Sequence, residues 1–200
     1  MDALKNYKIL EVKSLLATVN FILVNKSFSE ATVVHTDEID FGKYGIANKG
    51  ATLVRLKIGD TTIAIVNCHL PSGWSEADID KRAARSSEIM TWIGDNNDAV
   101  IWGGDFNLRA FFNYNPSKNY GAKEIRVVMR NMRDQDELKL YHQNKITSMG
   151  YLHPILNYLP SYRIDLKKKS SNIIYSKERK PAWTDRMFYK VNNPSCKIEI

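Results

Sequence analysis

Two hundred residues, 44% of them hydrophobic and 10% aromatic, suffice for one domain with a real core and argue against a globally disordered chain. The formal charge of +7, from 29 basic and 22 acidic residues, favours a polyanionic partner: nucleic acid, an anionic membrane face or a phosphorylated small molecule. Two cysteines, Cys68 and Cys196, are too few for a disulfide framework and form no metal-type pair, which predicts a reducing, cytoplasmic setting. The opening MDALKNYKIL has no secretory pattern. The longest apolar run, LLATVNFILV, is broken by Asn20 and falls short of the roughly 20 residues of a spanning helix.

Four segments read as strands, in chain order. Residues 15–25 are apolar and β-branched, and 51–58 alternate, with Val54, Leu56 and Ile58 on one face and Arg55 and Lys57 on the other. Gly59-Asp60 is a tight-turn signature that folds 51–58 back as a hairpin onto TTIAIVNCHL. The run Ile63 to Val66 is apolar on both faces, as in a strand covered on both sides, and DAVIWGGDFN is a second such run. A further apolar run follows Asp185 and Arg186. Between these, 75–96 read as a helix with Ile79, Ala83, Met90 and Ile93 on one face and a Ser75/Asp78 capping box. Residues 123–133 read as a second helix with Ile125, Val128, Met129 and Met132 inward. A hairpin followed by alternating strand and helix predicts a mixed sheet with helices packed on it. No repeat or linker divides the chain, so residues 1–200 are expected to form a single domain.

Reactive side chains follow the ends of the buried strands: His69 after IAIVNC, and Asp105 and Asn107 after VIWGG. Ligands of layered α/β proteins gather where strands end and loops begin, so these groups are expected on one rim. Each has a plainer reading. His69 could be a hydrogen-bonded core histidine, Asp105 a turn former after two glycines, and Lys177 with Arg179 a solvated charge run. His142 and His153 show no metal spacing and read as surface or packing residues. The run Lys167 to Ser171 reads as a solvated loop, or as a basic contact to anionic lipid.

The segments GIANKGA, NCHL, GDFNLR, LPSYR and KERKPAWTDR, in that order, resemble the inositol polyphosphate 5-phosphatases of the endonuclease/exonuclease/phosphatase superfamily, whose pattern runs GxxGNKGG, NSHL, GDxNYR, PxYK and KxRxPAWCDR. GDFN and HL mark only the wider fold; PSYR followed by KERKPAWTDR points to the 5-phosphatase branch. The resemblance implies an α/β sandwich of α+β type, four-layered, with two packed mixed sheets flanked by helices. It implies Mg²⁺-dependent removal of the 5-phosphate from phosphoinositides or inositol polyphosphates by in-line attack of water. The partner would then be a phosphoinositide or a soluble inositol polyphosphate, with peripheral contact to an anionic membrane in the lipid case and no nucleic acid as partner. By this resemblance Asp105 orients or deprotonates the water, Asn107 holds a phosphate oxygen and His69 contacts the transferring phosphoryl group. Asp185 and Arg186 are the acid and base of the PAWCDR segment, Asn48 and Lys49 lie near the substrate, and Tyr162, Arg163, Lys177 and Arg179 grip the neighbouring ring phosphate.

The chain departs from the pattern in several places. The family's magnesium-binding Glu lies upstream of the matched stretch, and Glu11 stands in no matching motif. The family's SDHxPV segment has no counterpart before Ile200, Gly73 replaces the second His of NSHLAAH, and Leu108 replaces the Tyr of GDxNYR. The expectation is therefore a domain incomplete at its N- and C-terminal ends, with its metal ligands unassigned. A catalytically impaired phosphoinositide-binding module and a nuclease of the same superfamily are the alternatives. The net charge would suit the nuclease, and the PSYR and KERKPAWTDR segments argue against it.

Overall fold

A computed structural model describes residues 4–15, 18–28, 30–42, 48–118, 120–165 and 173–197. Strands β1 (Tyr7–Leu15) and β2 (Thr18–Asn25) pair antiparallel as a two-stranded sheet. Strands β3 (Ala31–Asp40), β4 (Gly50–Ile58), β5 (Thr61–His69), β6 (Ala99–Asp105) and β7 (Asp185–Val191) form a five-stranded sheet in that order. Among the described strands only β5 and β6 run parallel, so the mixed character belongs to the large sheet. Their crossover is helix α1 (Glu76–Ile93), as a parallel pair requires. Gly59 takes the φ of +57° that the turn between β4 and β5 demands.

One face of the large sheet carries the main core. Ala64, Val66 and Cys68 of β5 pack with Val100 and Trp102 of β6, Phe188 of β7, and Ile89, Met90 and Ile93 of α1. The opposite face meets the small sheet through Val54 and Leu56 against Ile22, with Leu10 and Ile65 at the margin. Helix α2 (Ala122–Asp134) buries Ile125, Met129 and Met132 in a separate cluster with Phe112, Tyr175 and Trp183. A π-helical turn, Leu138–His142, leads into the short helix α3 (Gln143–Ser148), and both add to the main core through Leu138 and Ile146. The described residues thus stack as small sheet, large sheet and helices. No helix among them is long and apolar enough to cross a membrane.

The capping box at Ser75 is present: its hydroxyl accepts from the Asp78 N–H, and the Asp78 carboxylate accepts from the Ser75 N–H. The inward face of α1 carries Arg82 and Ser86 beside the expected Ile79, Met90 and Ile93. Strands β1 and β3 have no counterpart among the expected elements. In β3 the cause is physical: it is an edge strand whose Thr36, Glu38 and Asp40 face water, so it lacks the apolar run that marks a buried strand. The basic run 167–171 and Lys43 to Gly45 lie outside the described residues.

Candidate active site

Four residues stand in register across the ends of four adjacent strands. Gly50 of β4 pairs with His69 of β5, His69 with Asp105 of β6, and Asp105 with Asp185 of β7. Sheet pairing alone therefore draws together side chains separated by more than a hundred positions in the sequence. Gly104 makes the close approach possible. Its φ is +134°, and a Cβ there would collide with the backbone of Cys68 on β5.

Lys49, just before β4, donates to His69 Nε2 at 2.5 Å, and Asp105 Oδ2 lies 3.5 Å from the same nitrogen. An ammonium has only protons to give, so Nε2 accepts and the imidazole is neutral. Burial lowers the pKa of His69, and the Lys49 charge lowers it further, against the pull of Asp105 and Asp185. Burial also lowers that of Lys49, opposed by Asp105. Asp105 is shifted the other way: burial raises its pKa and Asp185 adds repulsion, against the Asn107 N–H and the neighbouring His69 and Lys49. A carboxylate raised in this way is a better proton acceptor than a solvated one.

After β6 the chain turns sharply. Asn107 adopts φ +52°, a left-handed conformation that Asn tolerates better than most residues, and its N–H donates to Asp105 Oδ1 at 2.9 Å. Its side-chain amide is buried, donating to the Leu70 carbonyl and accepting from Arg109 Nη2 at 2.8 Å. Arg109 in turn lies over the rings of Trp74 and Tyr162, 5.1 Å from each centroid.

Two short bridges, Tyr162 with Ala182 and Ile164 with Tyr175, set the Tyr162–Arg163 segment beside the loop carrying Lys177 and Arg179. Arg163, Lys177 and Arg179 are exposed cations on this wall. Arg179, Lys180, Glu178 and Trp74 line a cavity of about 330 Å³. Trp74 and Arg109 thus connect the Arg179 wall to Asn107 and the strand-end carboxylates. Asn48 is exposed, immediately before Lys49.

Asp185 faces water beside Asp105, while Arg186, next along the strand, points into the interior. Its Nε donates to the Trp183 carbonyl at 2.6 Å and its Nη2 to Asp136 at 2.5 Å. The PAWTDR segment is therefore anchored from below: Trp183 is fully buried and its indole N–H donates to the Tyr158 carbonyl. Arg186 stands under the rim as a fixture, whereas His69, Asp105 and Asp185 stand on it, with the buried Asn107 amide directly behind Asp105.

Three groups around the site were not anticipated from the sequence. Arg109 and Trp74 are two; only the position of Arg109 inside GDFNLR hinted at it. The third is Glu137, fully buried, which accepts a two-pronged bond from Arg82 at 2.7 Å on each oxygen, a bond from His142 at 2.9 Å and one from the Arg109 backbone N–H at 3.0 Å. His142 is accordingly a buried, bonded packing residue.

The sequence matches the Endonuclease/Exonuclease/phosphatase family 2 over residues 1–200. It is 28% identical over 161 residues to the polyphosphatidylinositol phosphatase INP53 of Saccharomyces cerevisiae, covering 73% of this chain and 14% of that protein. It is 24% identical over 216 residues to phosphatidylinositol 4,5-bisphosphate 5-phosphatase A of Rattus norvegicus, covering 98% of this chain and 20% of that protein. The chain thus spans a fifth or less of the length of these two relatives. The inositol polyphosphate 5-phosphatase domain of SPsynaptojanin, solved with inositol (1,4)-bisphosphate and calcium ion, superposes with a TM-score of 0.70 at 25% identity, over 93% of this chain and 55% of that one. With two sheets, flanking helices and a strand-end row of His69, Asp105 and Asp185, the chain belongs to the Endonuclease/Exonuclease/phosphatase family 2.

Proposed function

We propose that this chain is a phosphomonoester hydrolase that removes the 5-phosphate from phosphoinositides or soluble inositol polyphosphates. The observation that carries the reading is the strand-end row His69–Asp105–Asp185, joined through Asn107, Arg109 and Trp74 to a wall of exposed cations. The named relatives act on phosphoinositides, which supports an inositide as substrate.

Phosphoryl transfer asks a protein mainly for alignment and charge neutralisation. Asp105 takes a proton from the attacking water. Lys49 offers positive charge to the phosphoryl oxygens beside His69, and the Asn107 amide offers an N–H. Tyr162, Arg163, Lys177 and Arg179 hold the neighbouring ring phosphate; a guanidinium can bind two of its oxygens at once.

The site fits a hard divalent cation on its own chemistry. Asp105 and Asp185 present carboxylates side by side, and a cation would relieve the repulsion between them. Mg²⁺ is commonly held by one or two carboxylates, with water and substrate phosphate oxygens completing its shell. Asp185 would hold it here, and it would supply charge neutralisation at the phosphoryl oxygens. Such a site needs no larger cluster, and none of three or more His, Cys, Asp or Glu side chains is present among the described residues.

The test is phosphate release from a 4,5-bisphosphate inositide, in lipid and soluble forms, with added Mg²⁺. Release that disappears in Asp105→Ala supports the reading. Inositide binding without release would make the chain a binding module, and cleavage of an abasic-site duplex without phosphate release would make it a nuclease; either overturns it.

A further inference from the structure

Arg109 makes few of the contacts expected of a buried guanidinium. It is 3% exposed, yet no carboxylate among the described residues pairs with its side chain directly, and Asp105 acts on its charge only from a distance. Its partners are the Asn107 side-chain oxygen, the Tyr162 side chain and the faces of Trp74 and Tyr162, while Nε and Nη1 have no hydrogen-bond partner of good geometry among the described residues. Elsewhere in the interior, Arg82 has Glu137 and Arg186 has Asp136. A cation placed against two rings and one amide is costly to bury as a structural device alone. Aromatic faces offset part of that cost.

The bond to Asn107 also carries information. The two ends of an amide group are nearly alike in shape, and a guanidinium has donors only, so it accepts nothing but the oxygen end. Arg109 therefore favours one way round for the Asn107 amide, the same one that the Leu70 carbonyl, an acceptor only, favours from the other end. The nitrogen end is then turned to the Leu70 carbonyl, 2.9 Å away, leaving one N–H for a ligand. Without the guanidinium, only the Leu70 carbonyl would hold the amide this way round, and the N–H offered to a phosphate would be less firmly fixed.

We propose that Arg109 is a positioning residue: it fixes the Asn107 amide with an N–H toward the substrate phosphate, and through Trp74 and Tyr162 it ties that orientation to the cation-bearing wall. This inference rests on the proposed hydrolase reading for its consequence in turnover, and on the structure alone for the orientation of the amide. The aromatic contacts make the guanidinium a coupler. Trp74 also lines the cavity that contains Arg179, so a phosphate bound at that wall bears on the ring that holds Arg109.

The test is a cycle of Arg109→Met, Asn107→Ala and the double variant, with Arg109→Lys as the conservative control. Met keeps the length and apolar packing and removes every donor. Expected is a loss in kcat of about 10- to 100-fold in Arg109→Met, with KM changed by less than about threefold, no further loss in the double variant beyond Asn107→Ala, and partial recovery in Arg109→Lys. Losses that simply multiply in the double variant would overturn the proposal. The second readout needs no turnover: the side-chain amide signal of Asn107 in a ¹H–¹⁵N spectrum, assigned by its disappearance in Asn107→Ala. It is expected to shift in Arg109→Met and to return toward its original place in Arg109→Lys; a signal unmoved in folded Arg109→Met overturns the proposal. If Arg109→Met does not fold, the shift and kcat of Arg109→Lys relative to wild type decide in the same sense. If the wild-type chain releases no phosphate, the hydrolase reading falls, and the Asn107 signal still decides the positioning role.

Discussion

Asp105 and Asp185 are register partners at the paired ends of β6 and β7, two like charges set side by side where either could have been an amide. Burial and this neighbour both raise the Asp105 pKa. A fold that only sought stability would not keep the pair. Asp185→Asn is therefore expected to stabilise the fold, by up to about 1 kcal/mol or roughly 2–4 °C in Tm, since the amide can still accept from the Thr184 hydroxyl. The same variant is expected to need about 10- to 100-fold more Mg²⁺ for half-maximal phosphate release. Thermal unfolding without metal and a Mg²⁺ titration of activity check the two halves. A Tm that falls, with the Mg²⁺ requirement unchanged, would separate Asp185 from the site.

The exposed cations of the second wall make a different prediction. Lys177 and Arg179 are solvated and make no structural ion pair among the described residues, so their removal should leave Tm within about 1 °C. A charge-assisted bond to a bound phosphate contributes about 1.5–3 kcal/mol. Lys177→Ala with Arg179→Ala is thus expected to raise KM at least about tenfold for a substrate that carries the neighbouring ring phosphate. Steady-state kinetics should show little change for a substrate that lacks it. Equal losses on both substrates would place these residues outside the recognition of that phosphate.

The hairpin of β4 and β5, the crossover helix and the buried β6 were legible because each has a clean period or a defined turn: Gly59-Asp60, the Ser75/Asp78 box, and the apolar run ending at Gly104. The row of His69 and Asp105 followed from strand ends alone. Edge strands β1 and β3 were not legible, because half their side chains face water and charge interrupts the pattern. Nor were the links between the two walls. Arg109, Trp74 and Glu137 act through contacts between residues dozens of positions apart, and no local pattern marks a buried arginine as anything but a surface charge. The buried direction of Arg186 had a partial signal in strand alternation, since Asp185 before it must face the other way.

Glu137 offers the largest expected effect on stability. Its carboxylate is fully buried and serves Arg82, His142 and the Arg109 backbone together. Burial would raise its pKa, but the bonds from His142 and Arg82 outweigh burial and the net shift is downward. Truncation would leave the Arg82 guanidinium buried without its partner, which costs about 3–5 kcal/mol. Glu137→Ala is therefore expected to unfold at markedly lower urea, and Glu137→Gln, which keeps a hydrogen-bonding group but no charge, at an intermediate concentration. Equilibrium urea unfolding of the three proteins checks the order. Because the Arg109 backbone rests on this carboxylate, the Gln variant should also lose activity in proportion to any movement of Asn107.

His153 provides the pH-dependent case. Burial, with Arg186 nearby, lowers its pKa to about 4, and its ring packs 4.9 Å from that of Phe188. In the unfolded chain the same imidazole titrates near its ordinary value of about 6.5. Between those two values the unfolded state binds the proton and the folded state does not, so stability must fall as pH drops from about 6.5 toward 4 and be unaffected by this group above 6.5. Buried carboxylates such as Glu137, whose pKa is depressed, also lose their contribution in acid, so the signature lies in a difference. His153→Phe removes the titrating group while keeping an aromatic ring against Phe188. The gap between wild type and His153→Phe, measured by urea unfolding at pH 7.5, 5.5 and 4.5, is expected to move in favour of the variant as the pH falls. A gap that stays constant across the three would mean that the imidazole takes up its proton in the folded protein as readily as in the unfolded one, and that the packing around Phe188 admits water.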